Sequence, residues 1–198
     1  MSSKWVRFGF VGLFIYVIIS GLFLSYTYFY SQGPSTSSAS APVSFQLKNE
    51  TEVFDFPAKA KDLNLFYFGY TNCPDVCPLT LTYLTQAVKN LSAKDQDKIQ
   101  VFFISVDYDN DTAATTAKYA KAFNPLFYGF TGSKEQIDAL IKQFHGSYIV
   151  EKNEKSYLGY SITHTDRVFF VNDKGKILNS IANVKSVESL AKEIHEHL

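Results

Sequence analysis

Two stretches of this chain, residues 63–70 (LNLFYFGY) and 98–107 (KIQVFFISVD), are apolar almost without interruption. A strand that faces water on one side alternates polar and apolar residues. A run with no such alternation has to be covered on both faces, which makes these two the central strands of a sheet clothed by helices. Helical spacing follows each of them. After the first, Pro78 opens PLTLTYLTQAVKNLS, with Leu81, Leu84, Val88 and Leu91 recurring on one side. After the second, TAATTAKYAKAF is a helix that Asp111 is placed to cap.

The remaining elements fit the same plan. VSFQL and TEVFDF, split by KNE, suggest a small leading hairpin. LFYGFTG is a short strand, and SKEQIDALIKQF is a helix with Ser133 as cap and Gln136 three residues on. DRVFFVNDKGKILNSI reads as two strands joined by a turn at residues 172–175, and SVESLAKEIHEHL as a closing helix. The expected class is α/β, a mixed sheet flanked by helices. The first strand runs through a loop holding Cys73 and Cys77 into its helix, which is the thioredoxin-like arrangement.

Three segments follow from composition. Residues 1–30 carry Lys4 and Arg7, then no charge from Phe8 to Tyr30. A helix over that stretch would be roughly 34 Å long, enough for a hydrocarbon core of about 30 Å. Positive charge ahead of it places the N-terminus in the cytoplasm and the rest outside. The apolar run is longer than that of a cleaved signal peptide, so an uncleaved single-pass anchor is expected. Residues 31–42 (SQGPSTSSASAP) are small and uncharged, a flexible tether. Residues 43–198 form the domain. Lys+Arg and Asp+Glu balance at 19 each over the chain, so the basic footprint that nucleic acid requires is missing.

Both cysteines of the chain sit four residues apart in NCPDVCP. A disulfide across so small a loop gives only about 2 kcal/mol by chain entropy, which argues against a purely structural staple. A redox pair is a stronger alternative, although thioredoxin-type motifs have one residue fewer between the sulfurs. Redox proteins of this fold also carry a cis-proline before the last strand pair, where this chain reads SITHTDR. Cys77, near the amino end of a helix, is expected to have a depressed pKa, whereas the charge of Asp75 tends to raise it. A third reading is half of a metal site, completed by His164 from the loop before the closing strand pair.

At this point the chain resembles the Sco/SenC family of membrane-anchored copper proteins. FGYTNCPDVCP is similar to that family's Phe-Gly-Tyr-Thr-x-Cys-Pro-Asp-x-Cys-Pro signature, and VFFISVDYDNDT, KYAKAFNPLFYGFTGS and ITHT resemble its later blocks in the same order. The resemblance implies that Cys73, Cys77 and His164 are the ligands of one copper ion, Cu(I) or Cu(II), in a metallochaperone. It implies cytochrome c oxidase subunit II, at its binuclear copper centre, as recipient, with another periplasmic copper chaperone as a further partner. The location implied is the inner membrane, with the domain in the periplasm, or in the intermembrane space if mitochondrial. The chain departs from the family's Asp-Pro-x-Arg-Asp-Thr at Tyr108 and Asn110, which puts in doubt any partner contact made by that arginine. Ligand chemistry agrees with copper: a soft Cu(I) ion is satisfied by two thiolates and an imidazole. Structural zinc prefers four protein ligands and would need Asp75 or water as well.

Two alternatives stay open beside the metallochaperone. One is a thiol–disulfide oxidoreductase that keeps the oxidase's copper-site cysteines reduced through Cys73 and Cys77. The other is a copper or redox sensor. DYDNDT is not a calcium loop, because Thr112 and Lys118 stand where glycine and glutamate are required. No role is expected for His145, His195 or His197.

Overall fold

The structure is a computed structural model that describes residues 18–26 and 41–198. The chain divides into two compact units, residues 1–39 and 40–198. In the first, residues 18–26 form helix α1. Among the described residues no helix is long and apolar enough to cross a membrane. The rest of the expected anchor and residues 31–40 of the expected tether lie outside the described residues.

The second unit opens with the leading hairpin, β1 (Phe45–Lys48) and β2 (Val53–Phe56), paired antiparallel. Strand β3 (Leu63–Gly69) leads through the cysteine loop to α2 (Val76–Lys89) and a short α3 (Ala93–Gln96). Strand β4 (Ile99–Ser105), helix α4 (Ala113–Phe123), strand β5 (Phe127–Phe130) and helix α5 (Lys134–Gln143) follow. A second hairpin, β6 (Tyr148–Lys152) and β7 (Tyr160–His164), precedes β8 (Arg167–Asn172), β9 (Ile177–Ala182) and α6 (Val187–Glu196).

The central sheet has the order β5-β4-β3-β8-β9. Strands β3, β4 and β5 are parallel, while β8 runs antiparallel to β3 and β9 antiparallel to β8. Every residue of β3 and β4 is buried, as an uninterrupted apolar run demands. One face is covered by aromatic rings. Phe66 stacks on Phe102 at 4.7 Å, meets Phe56 of the leading hairpin edge-on at 5.2 Å, and touches Phe144 beyond α5 at 5.0 Å. Such pairs contribute about 0.5–1.5 kcal/mol each beyond their buried area, which is where much of the chain's phenylalanine goes. The other face is covered by α2, α4 and α6, with Phe103 against Tyr119 of α4 at 5.0 Å.

Several local expectations are corrected. Helix α2 begins at Val76, two residues before Pro78, so Cys77 lies inside its first turn. Helix α4 is capped by Thr112, whose side chain and that of Thr115 satisfy each other's backbone N–H groups. Asp111 is free for other work. Helix α5 keeps the expected Ser133–Gln136 capping box. Its far end closes with Gly146 N–H on the Ile141 carbonyl and His145 N–H on that of Lys142, and the left-handed residue is His145 (φ 52).

Candidate metal centre

The cysteine loop leaves β3 at Gly69. A Cβ there would stand 2.7 Å from Cys77 Sγ and 3.0 Å from the Phe103 ring, so glycine is what lets the first turn of α2 press its sulfur against the strand. Cys77 is fully buried and Cys73 nearly so, at 9% exposed. Both are free thiols. The backbone N–H of Cys77 points at Cys73 Sγ, 3.5 Å away.

His164 is the last residue of β7 rather than part of a loop, and it pairs with Tyr148 of β6. Its Nε2 lies 3.5 Å from Cys77 Sγ. The two sulfurs and one imidazole nitrogen all fall within 4.8 Å of one another. Ligands sharing one small ion at about 2.0–2.3 Å stand roughly 3.5–4 Å apart, so the three need to close by only about 1 Å. The other ring nitrogen, Nδ1, is 3.3 Å from the Thr165 carbonyl oxygen. A carbonyl only accepts, so Nδ1 holds a proton, and Nε2 is the nitrogen that faces the sulfurs. Tyr67 and Tyr70 stand edge-on to the imidazole at 6.1 and 6.2 Å and wall it in.

The electrostatics reverse one expectation. Cys73, not Cys77, is the acidic thiol. A hydrogen bond from Cys77, with further help from His164 and the backbone N–H groups of Asp75 and Cys77, lowers Cys73 to about 4 against the opposing effect of burial. Cys77 is pushed up by its role as donor to Cys73, by burial and by the charge of its partner. The helix terminus does favour a thiolate, but two sulfurs this close share one proton, and the less buried one gives it up. Asp75 is exposed, and its part is played by its backbone N–H rather than by its charge. Burial and the two sulfurs push Tyr70 up to about 12.

A prediction follows for the metal-free chain. Above pH of about 4 Cys73 is ionised, so alkylation by iodoacetamide should consume one thiol at a rate that stays high from pH 8 to pH 5. An ordinary cysteine slows tenfold per pH unit below its pKa of about 8.5. Peptide masses should place the label on Cys73. A rate that tracks an ordinary thiol would sink this assignment.

The site rests on groups to which the sequence reading gave no part in it. Asp111 accepts from the Thr71 N–H at 2.9 Å and from the Thr71 and Ser105 hydroxyls. Asp107 accepts from the Tyr160 phenol and from Asn110 Nδ2. Tyr67, beneath Cys77, donates to Asp166 at 3.1 Å. At the two departures from the family pattern, Asn110 braces Asp107 and Tyr108 packs edge-on against Tyr148 at 6.2 Å. The other histidines stand elsewhere: His145 at the end of α5, His195 in α6, and His197 beside Glu193 at 2.9 Å.

The chain is similar to known proteins in sequence and in fold. The SCO1/SenC family matches residues 34–198. The mitochondrial SCO2 homolog of Mus musculus is 32% identical over 135 residues, 68% of this chain and 52% of the relative, so the chain spans about half of that protein's length. The solution structures of apo Sco1 from Thermus thermophilus superpose with a TM-score of 0.72 at 31% identity, covering 79% of this chain and 91% of that one. Bradyrhizobium japonicum ScoI, solved with copper bound, gives 0.69 at 27% identity, covering 79% and 99%. These neighbours support the thioredoxin-like α/β fold.

Proposed function

The chain belongs to the SCO1/SenC family, and from that premise we propose that it is a copper carrier whose cargo is one ion held by Cys73, Cys77 and His164. The observation that carries this reading is the convergence of two sulfurs and Nε2 within 4.8 Å, with Nδ1 tied back to a carbonyl. The donor set suits Cu(I), and a coordination number of three leaves room for an incoming sulfur. Transfer then proceeds by ligand exchange, one protein sulfur replaced by one of the recipient's, without release of a free ion. The recipient is the binuclear copper centre of cytochrome c oxidase subunit II, and another periplasmic copper chaperone supplies the ion. Residues 1–30 anchor the chain in the inner membrane by a single pass, residues 31–42 tether it, and residues 43–198 work on the outer side.

Anaerobic Cu(I) titration of the full chain in detergent, in competition with a chromophoric chelator, tests the site. His164→Ala should lower affinity roughly tenfold, the order expected for losing a neutral ligand or its support. Affinity unchanged in a Cys73→Ser, His164→Ala double variant would refute the carrier reading.

The low pKa of Cys73 favours a second reading, a thiol–disulfide oxidoreductase. A thiolate beside a protonated thiol is the arrangement of a dithiol reductant. His164→Ala with both thiols intact separates the two. Full support of oxidase assembly by that variant would favour reduction, and loss of assembly favours carriage.

A further inference from the structure

The loop between β4 and α4 holds two carboxylates that are almost sealed from water, Asp107 at 3% and Asp111 at 5% exposed. A buried carboxylate is stable only when its oxygens are occupied, so the identity of the donors is informative. Asp111 takes the N–H and hydroxyl of Thr71, two residues ahead of Cys73. Asp107 takes the phenol of Tyr160, the first residue of β7, whose last residue is His164. Tyr108, beside it, packs against Tyr148, the strand partner of His164. One loop therefore grips the sulfur-bearing arm with one carboxylate and the imidazole-bearing arm with the other.

The second arm needs such a grip. Strands β6 and β7 form a two-stranded sheet of their own, outside the ladder of the central sheet. A lone two-stranded hairpin is marginal in water and takes its position from what it packs on. Tyr160, Ile162 and His164 occupy alternate positions along β7 and so share one face. Ile162 on that face is buried. Pinning the Tyr160 end sets the rotation of the whole face, the imidazole included. The other end is held by the Tyr148 phenol, which donates to Asp138 of α5 at 2.7 Å.

We propose that Asp107 and Tyr160 are positioning residues for His164, their carboxylate–phenol bond being the latch that keeps the β6–β7 hairpin seated against the sulfur pair. The latch is a property of the metal-free chain, while its consequence for affinity rests on the copper reading above.

Tyr160→Phe removes the donor and keeps the ring. In the metal-free full chain in detergent, hydrogen exchange read by mass spectrometry should quicken roughly tenfold in residues 148–164, with residues 63–69 unchanged, since a hydrogen bond to a buried charged group is worth about that factor. In Cu(I) titration the variant should lose roughly threefold to tenfold in affinity when His164 is present. It should lose nothing further in a His164→Ala background, because only the imidazole is being positioned. Unchanged exchange in the hairpin overturns the proposal. So does a loss of affinity that is equal in both backgrounds, or no loss in the presence of His164 when His164→Ala itself weakens binding. If His164→Ala leaves affinity intact, the copper ligand assignment fails, and the exchange result alone then decides the latch.

Discussion

Cys77→Ser should lower the affinity of the full chain for Cu(I) by roughly a hundredfold to a thousandfold. A structural metal held by four ligands is bound with about 10–16 kcal/mol, so a charged sulfur accounts for roughly 3–4 kcal/mol of it, and a serine hydroxyl at neutral pH supplies almost none. The size of the loss depends on burial. Cys77 has no solvent exposure, so bulk water has no access to its place. The substitution is close to isosteric, and the hydroxyl lands where Cys73 Sγ can accept from it, so the melting temperature should move by only a few degrees. Competition with a chromophoric chelator measures the loss. An effect no larger than that of His164→Ala would show that the buried sulfur is not a ligand and that Cys73 binds the ion by other means.

Gly129→Ala should destabilise the protein by at least about 3 kcal/mol, the upper end for overpacking. Gly129 is in β5, at the edge of the sheet. A methyl group there would lie 2.0 Å from the Thr116 carbonyl oxygen and 2.3 Å from its carbonyl carbon. Both are main-chain atoms in the first half of α4, so no rotamer change relieves the overlap. Either the helix lifts from the strand or the strand leaves β4. Domains of this size hold about 5–15 kcal/mol in all, and a loss of 3 kcal/mol should lower the melting temperature by roughly 10 °C. Unfolding monitored by circular dichroism checks it. A shift within 2 °C would mean that α4 rides higher on β5 than described.

Much of the fold could be read from pattern alone because β3 and β4 are buried on both faces, and an unbroken apolar run admits few other accounts. The Ser133–Gln136 box and the turn at Asn172–Gly175 were legible for a similar reason, since each rests on contacts a few residues apart. What pattern missed is the β6–β7 hairpin. Its first strand is exposed at four of five positions, so there is no alternation to detect. The cap of α4 was misread by one residue because Asp111 and Thr112 are both good caps. The choice between them is made by Thr71, forty residues earlier in the chain. Which thiol ionises was misread because a helix terminus is a local cue, whereas a proton shared between two sulfurs is decided by relative burial. Cys73, Cys77 and His164 were named as candidates through motif and resemblance, and the structure brings the three together. Asp107 and Asp111 stood in a block of the resemblance, and Asp111 was taken for a cap, but the part they play was hidden, as was that of Tyr160, since an aspartate gripping a distant hydroxyl looks like any other surface acid until the chain is folded.

The 87 residues between Cys77 and His164 carry one more implication. A partly folded chain in which only the strands up to β5 have come together has both thiols in place but no imidazole to join them, so a soft cation captured then would be held by a floppy pair. Only after the hairpin and the antiparallel strands dock does the tighter, three-donor cradle exist. A cargo that prefers the finished cradle by a thousandfold adds about 4 kcal/mol in its favour. A cargo bound in that cradle would thus favour the fully folded domain over its partly folded forms.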